Sequence, residues 1–343
     1  MIRLKSILPA CLLAALLNSA FGSTPTAKEQ MLRTVAARVV APGYQRLAMR
    51  CEQLVEAAQR LEERPDAIRL KQAQESWLEA AIAAQELDCF RIGPIADAGD
   101  AATFYFLPAR PASIERAIAD SAISSQAELK RLGAAAKGLC AMEYLLFPTE
   151  SANLALLNSE ATRRRHYLTL IAREAAATAA SLSTAWQEPL QGSAASFING
   201  GQESLNALVN QMAMTTGSIT ALRLPPLMNS ALKAESGKIP GERSNHTREL
   251  LLAAARGLQR FHAEGMGNYT RRINAPLADR LTKHYESTLT SIAGLARLPA
   301  DQPLDSRQAA ECFEYCNALD VLFKVDLASS LGVTLTFIST DGD

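Results

Sequence analysis

Apolar residues return at helical spacing along almost the whole chain, and this restricts the fold more than any other feature. Tyr44, Leu47, Cys51, Leu54, Ala58 and Leu61 trace one stripe, and Leu70, Ala73, Trp77, Ala81 and Ala84 trace the next. Spacings of three and four put such residues on one face of a helix. Arg64-Pro65-Asp66 separates the two stripes, which predicts an antiparallel hairpin. Later stripes run through Leu168, Ile171, Ala175, Thr178, Leu182 and Ala185, and through Leu205, Leu208, Met212, Ile219 and Leu222. Leu251, Ala254, Leu258 and Phe261 follow, with Ser244 or Asn245 as the expected cap. The next begins at Asn274, with Pro276 just inside, and carries Leu277, Leu281, His284, Ile292 and Leu295. On that stripe His284 reads as a hydrogen-bonded core histidine. No stretch alternates apolar and polar residues as a sheet requires, so the expected fold class is all-α, built of helical bundles.

Three interruptions organise the pattern. Pro42-Gly43 predicts a kink or split in the first long helix. Cys89–Pro111 carries Gly93-Pro94, Gly99-Asp100, Pro108 and Pro111 around Phe104, Tyr105 and Phe106, which reads as a long loop folded onto the body. The passage between two bundles is marked either by Gln191-Gly192-Ser193 or by the proline-bearing stretch Leu224–Gly241. The domain reading takes residues 23–190 as an N-terminal helical bundle and 191–343 as a C-terminal one.

The first 22 residues read as an address. Arg3 and Lys5 precede an apolar run, Ile7–Leu17, that is too short to span a bilayer, and Ala20-Phe21-Gly22 places small residues for signal cleavage. A cleaved secretory signal implies the periplasm or cell envelope, with the membrane involved only peripherally or through a lipid anchor at Cys11. The 35 basic and 35 acidic side chains balance, so no global positive field favours nucleic acid. Beyond the signal remain Cys51, Cys89, Cys140, Cys312 and Cys316, an odd number for an oxidising compartment. The hairpin places Cys89 roughly 18 Å along the axis from the level of Cys51, too far for a disulfide. Cys312 and Cys316 lie on an apolar stripe with Ala309, Leu319 and Phe323 and read as core packing. Arg163-Arg164-Arg165 reads as a solvated basic face at a helix start. His166, His246, His262 and His284 are dispersed and do not form a zinc-protease motif.

The segment Lys137-Gly138-Leu139-Cys140-Ala141-Met142-Glu143-Tyr144-Leu145-Leu146-Phe147 resembles the signature of the imelysin-like proteins: glycine, any residue, histidine, two residues, glutamate, then an aromatic and leucines. Trp77 on its alanine-rich helix, Phe90-Arg91-Ile92-Gly93-Pro94, and the closing Leu331-Gly332-Val333 through Phe337 to Asp341-Gly342-Asp343 extend the resemblance over nearly the whole mature chain. It implies a bacterial cell-envelope protein linked to iron uptake, with two helical bundles packed together and a pocket at their interface containing the signature. The implied pocket residues are Trp77, Arg91, Cys140 and Glu143. Iron or another divalent metal is the implied cofactor, with Cys140 and Glu143 as its ligands; a small molecule is the other class of ligand. Where the family has its histidine, this chain has Cys140. Spacing of three keeps Cys140 and Glu143 on one helix face, so they can still converge on a ligand. The loss of the imidazole weakens a metallopeptidase reading, because a hydrolase needs an activated water. A packing role, with Cys140 in the core and Glu143 paired to a base such as Arg91, corresponds to a ligand-free interaction scaffold.

Overall fold

The first helix begins where local chemistry directs it to. Thr26 accepts the amide of Glu29 at 3.2 Å while the Glu29 carboxylate takes the amide of Thr26 at 2.8 Å, a reciprocal cap for Ala27–Val35. A π turn, Ala36–Val40, follows, and Ala41–Glu63 then resumes as α-helix with Pro42 in its first turn. Proline lacks an N–H and crowds the carbonyl four residues back, so the register slips one turn before it while the chain stays helical. Asp66 caps Ala67–Glu86 by accepting the Arg69 amide at 2.8 Å. These two helices form the expected hairpin, and Thr162–Gln187 lies along the first of them. The stripes Tyr44–Leu61 and Leu70–Ala84 are buried as expected.

The computed structural model describes residues 25–147, 156–187, 192–228, 239–299, 302 and 305–336. The first 22 residues with Cys11, read above as an export signal, and Phe337 with Asp341–Asp343 lie outside the described residues. Among the described residues every regular element is helical, and no helix is long and apolar enough to cross a membrane. The Cys89–Pro111 stretch is not a plain loop. It folds as a 3-10 turn (Asp88–Phe90) and short helices Pro94–Asp97 and Ala101–Tyr105, with Phe90, Ile95, Phe104 and Tyr105 buried. In the second half Gly201–Ser218, Thr247–Phe261, Ala275–Ala296 and Ser306–Val321 pack as neighbours. Thr247–Phe261 also lies across Ala67–Glu86, at Gly257, where any Cβ would run into the carbonyl of Glu86.

Several sequence expectations are corrected here. Helix Thr247–Phe261 is preceded by His246 and not capped by Ser244 or Asn245; the Ser244 side chain is engaged elsewhere. A π turn at Ile219–Arg223 adds a residue to the helical period, so Leu222 is turned out to solvent and Arg223 is turned in. His284 is only half-buried and its Nδ1 has no hydrogen-bond partner among the described residues; Tyr285 takes the core position beside it. Of the Arg163–Arg165 run only Arg163 is on a solvated face. Arg165 is buried and donates to the carbonyls of Leu156 and Asn158 at 2.9 and 2.7 Å, and Arg164 holds Glu115 through two bonds of 2.8 and 2.7 Å. Cys51, Cys89, Cys140, Cys312 and Cys316 are all free thiols, and all but Cys140 are buried.

Candidate binding cleft

The signature forms a nine-residue helix, Gly138–Leu146, fixed at both ends. Gly138 starts it at φ 73°, and a Cβ there would meet the carbonyl oxygen of Thr103. Only glycine allows both the backbone conformation and that approach. Lys137 pairs with Glu174 at 2.7 Å, and the Tyr167 hydroxyl donates to the carbonyl of Ala136 at 2.6 Å, tying the helix start to Thr162–Gln187. From Ala67–Glu86, Trp77 Nε1 donates to the carbonyl of Leu139 at 2.9 Å and Gln74 to that of Leu146 at 2.7 Å. The Trp77 ring meets Phe147 edge-on at 5.1 Å. Trp77 is thus both a buried anchor and a wall.

That wall borders a cavity of about 30 Å³. Trp77, Arg91, Tyr105, Cys140 and Glu143 line it from the first half of the chain, and Arg223, Gly241 and Leu250 from the second. All four residues singled out from the sequence therefore meet in one place. Such a space holds a water or two or a small ion, not a peptide.

The pairing inside the cleft differs from the expectation for Glu143. Its Oε1 accepts both the amide and the hydroxyl of Ser244, each at 2.9 Å, and Arg91 is paired with Asp88 instead. Ser244 thereby ties the signature helix to the turn before Thr247–Phe261. Burial pushes the Glu143 carboxyl above the usual carboxylate range, against the opposing pull of the Ser244 and Gly241 donors and the Arg243 charge. Burial likewise pushes the Cys140 thiol up, and the neighbouring Glu143 charge adds to the effect. Cys140 is held as a thiol, neither a ready nucleophile nor a ready metal ligand.

Beside this pair sits a polar group that the sequence reading missed. Asp88, 1% exposed, takes the guanidinium of Arg91 on one oxygen and that of Arg223 on the other, the latter at 2.7 Å. Burial works to raise the Asp88 pKa, and the Arg223 and Arg91 charges overcome it and hold the carboxyl below its ordinary range. Arg223 also donates to Gln85 at 2.8 Å. The Arg91 guanidinium lies 4.0 Å over the ring of Tyr105, whose hydroxyl donates to the carbonyl of Ala84 at 2.6 Å. Tyr105 was visible only as one of three aromatics in the presumed loop. Arg223 was hidden by the π turn, and Ser244 by its resemblance to a helix cap.

A divalent metal does not fit the donors at Cys140 and Glu143. Two side chains do not complete a coordination shell, the thiol is held protonated, and the neighbouring Arg91 and Arg223 are cations. Among the described residues no group of three or more His, Cys, Asp or Glu side chains is arranged to hold a metal.

The fold and sequence have known counterparts. Residues 40–325 match the family model described as Imelysin, peptidase M75. An imelysin-like protein from Psychrobacter arcticum 273-4 superposes with a TM-score of 0.75 at 17% identity, covering 92% of this chain and 99% of that one. A structure from Parabacteroides distasonis ATCC 8503, described as an iron-regulated protein A precursor, gives 0.71 at 13% identity, covering 91% and 97%. No curated protein matches the sequence. At these identities the two structures speak for the all-α fold. The family match spans most of the chain, from the first hairpin past the last long helix, and the chain belongs to the imelysin family.

Proposed function

We propose that this imelysin-family chain is a non-catalytic cell-envelope protein that holds a small ligand in the cleft between its two halves, in the context of iron acquisition. The observation that carries the reading is the meeting of Trp77, Arg91, Cys140 and Glu143 at one cavity, closed on its far side by Arg223, Gly241 and Leu250. The segment with a charged start, short apolar run and small-residue cleavage pattern supports export. The neighbour described as an iron-regulated precursor supports both export and the link to iron. Iron enters as the setting of the protein, because the donors at Cys140 and Glu143 do not make an ion site. A peptidase role is disfavoured by the same chemistry: Cys140 is a protonated thiol and Glu143 is committed to Ser244, so neither is poised to activate water.

The test is native mass spectrometry of the purified protein beside Glu143→Ala. The wild type is expected to carry a stoichiometric small-molecule adduct that the variant lacks, with the helical circular dichroism unchanged. An equal adduct on both proteins would put the ligand elsewhere, and a bare wild type would overturn the reading.

A further inference from the structure

The cavity walls carry a charge pattern that selects among ligands. Two guanidiniums, Arg91 and Arg223, border it, and both lean on the single carboxylate of Asp88. The second bond of Arg223, to Gln85, adds no negative charge. The Arg91 Nε is shielded from solvent and has no hydrogen-bond partner among the described residues. A buried guanidinium N–H without an acceptor is unfavourable, because all five donors of the group were hydrated in water. Of the other titratable groups at the wall, Cys140 is held as a thiol and adds no negative charge, and Glu143 is offset by the two Ser244 donors on its Oε1 and by the neighbouring Arg243 charge.

We propose that the cleft takes a small oxyanion, the head of a carboxylate, received by Arg91 between Tyr105 and the Cys140–Glu143 face; this rests on the small-ligand reading above. An oxyanion fits on three counts. The guanidinium is a planar fork matched to a carboxylate and strengthens its bonds by charge. The space of about 30 Å³ admits a carboxylate head and little more. The Tyr105 ring beneath Arg91, at 4.0 Å, and the Asp88 pairing hold the fork in place before any ligand arrives. Such a head belongs either to a free small acid or to one arm of a larger acid reaching in from solvent.

The two sources and the proposal itself are tested by isothermal titration calorimetry at constant ionic strength, with formate as the free small acid and citrate as the larger one. Saturable binding of either to the wild type, weakened at least tenfold in Arg91→Met, is the expected result, and the acid that binds identifies the source. Should Arg91→Met melt early by circular dichroism, Arg91→Lys keeps the charge near Asp88 but loses the fork, and a severalfold loss of affinity is expected there. Equal affinity in the Arg91 variants, or no binding of either acid, overturns the proposal. Titration with Mn²⁺ separates this failure from the other. Mn²⁺ binding without acid binding overturns the oxyanion and leaves a small-ligand cleft. A wild type that binds none of the three, and carries no adduct by mass spectrometry, removes both.

Discussion

At the scale of single residues, burial decides what the titratable groups can do. His262 is 6% exposed, with its Nε2 2.9 Å from the Thr282 hydroxyl and its ring tilted against Tyr285 at 4.6 Å. Burial, helped by the Arg271 charge, depresses its pKa to about 4. The unfolded chain, with an ordinary histidine near 6.5, then binds more protons than the folded chain between those values. The stability this neutral ring permits is present above about pH 6.5 and is lost as the pH falls toward about 4, by an amount on the order of 3 kcal/mol. Urea unfolding across that range should show a shallower acid decline in His262→Gln than in the wild type; parallel curves would contradict it. The sequence located His262 but offered no reason to prefer it over His284. Leu281 and Thr288 on one face can be bridged by a residue at either 284 or 285, and the choice of Tyr285 follows from tertiary packing against Phe323.

At the scale of elements, the helical period was legible and its interruptions were not. Most residues on the stripes of three and four are buried, because a steady period is the strongest signal a sequence carries. A π turn breaks that period without leaving a mark in composition. At Ile219–Arg223 it reverses the expected faces, and with them the candidate site: Arg223 enters the cleft to meet Asp88. Ser244 illustrates a second limit. A serine just before a helix satisfies the local rule for a cap, yet its partner is Glu143, 101 residues away. The buried Asp88 group makes a prediction at this scale. Asp88→Asn leaves the Arg223 guanidinium buried without a counter-charge, and should cost about 3–5 kcal/mol by chemical denaturation, as breaking buried pairs does. A loss below about 1 kcal/mol would mean that Arg223 finds water in solution and that the cleft is wetter than its geometry indicates.

At the scale of the whole molecule, the cleft exists because two halves of the chain are held at close range. Thr247–Phe261 crosses Ala67–Glu86 where Gly257 admits the Glu86 backbone, Arg223 crosses to Asp88, and Ser244 crosses to Glu143. The family resemblance pointed to this place through Gly138 and Glu143, which match the signature on either side of the replaced histidine; packing against Thr103 and hydrogen bonding by Ser244 account for both residues. The exchange of histidine for Cys140 left the direction of the helix face unchanged but altered its chemistry, and only the surrounding guanidiniums showed in which sense. Cys140 also supplies the reporter. It is the half-buried member of the five cysteines described, and it lines the cleft while Cys51, Cys89, Cys312 and Cys316 are sealed in packing. The measurement that bears most directly on a shared, ligand-accessible cleft is the rate at which a small thiol reagent, methyl methanethiosulfonate, modifies each cysteine of the native protein, read by peptide mass spectrometry. Slow modification confined to Cys140, and slowed further by whichever carboxylate binds, is the predicted result. Protection of Cys140 equal to that of Cys51, or a rate unchanged by a bound ligand, would contradict it.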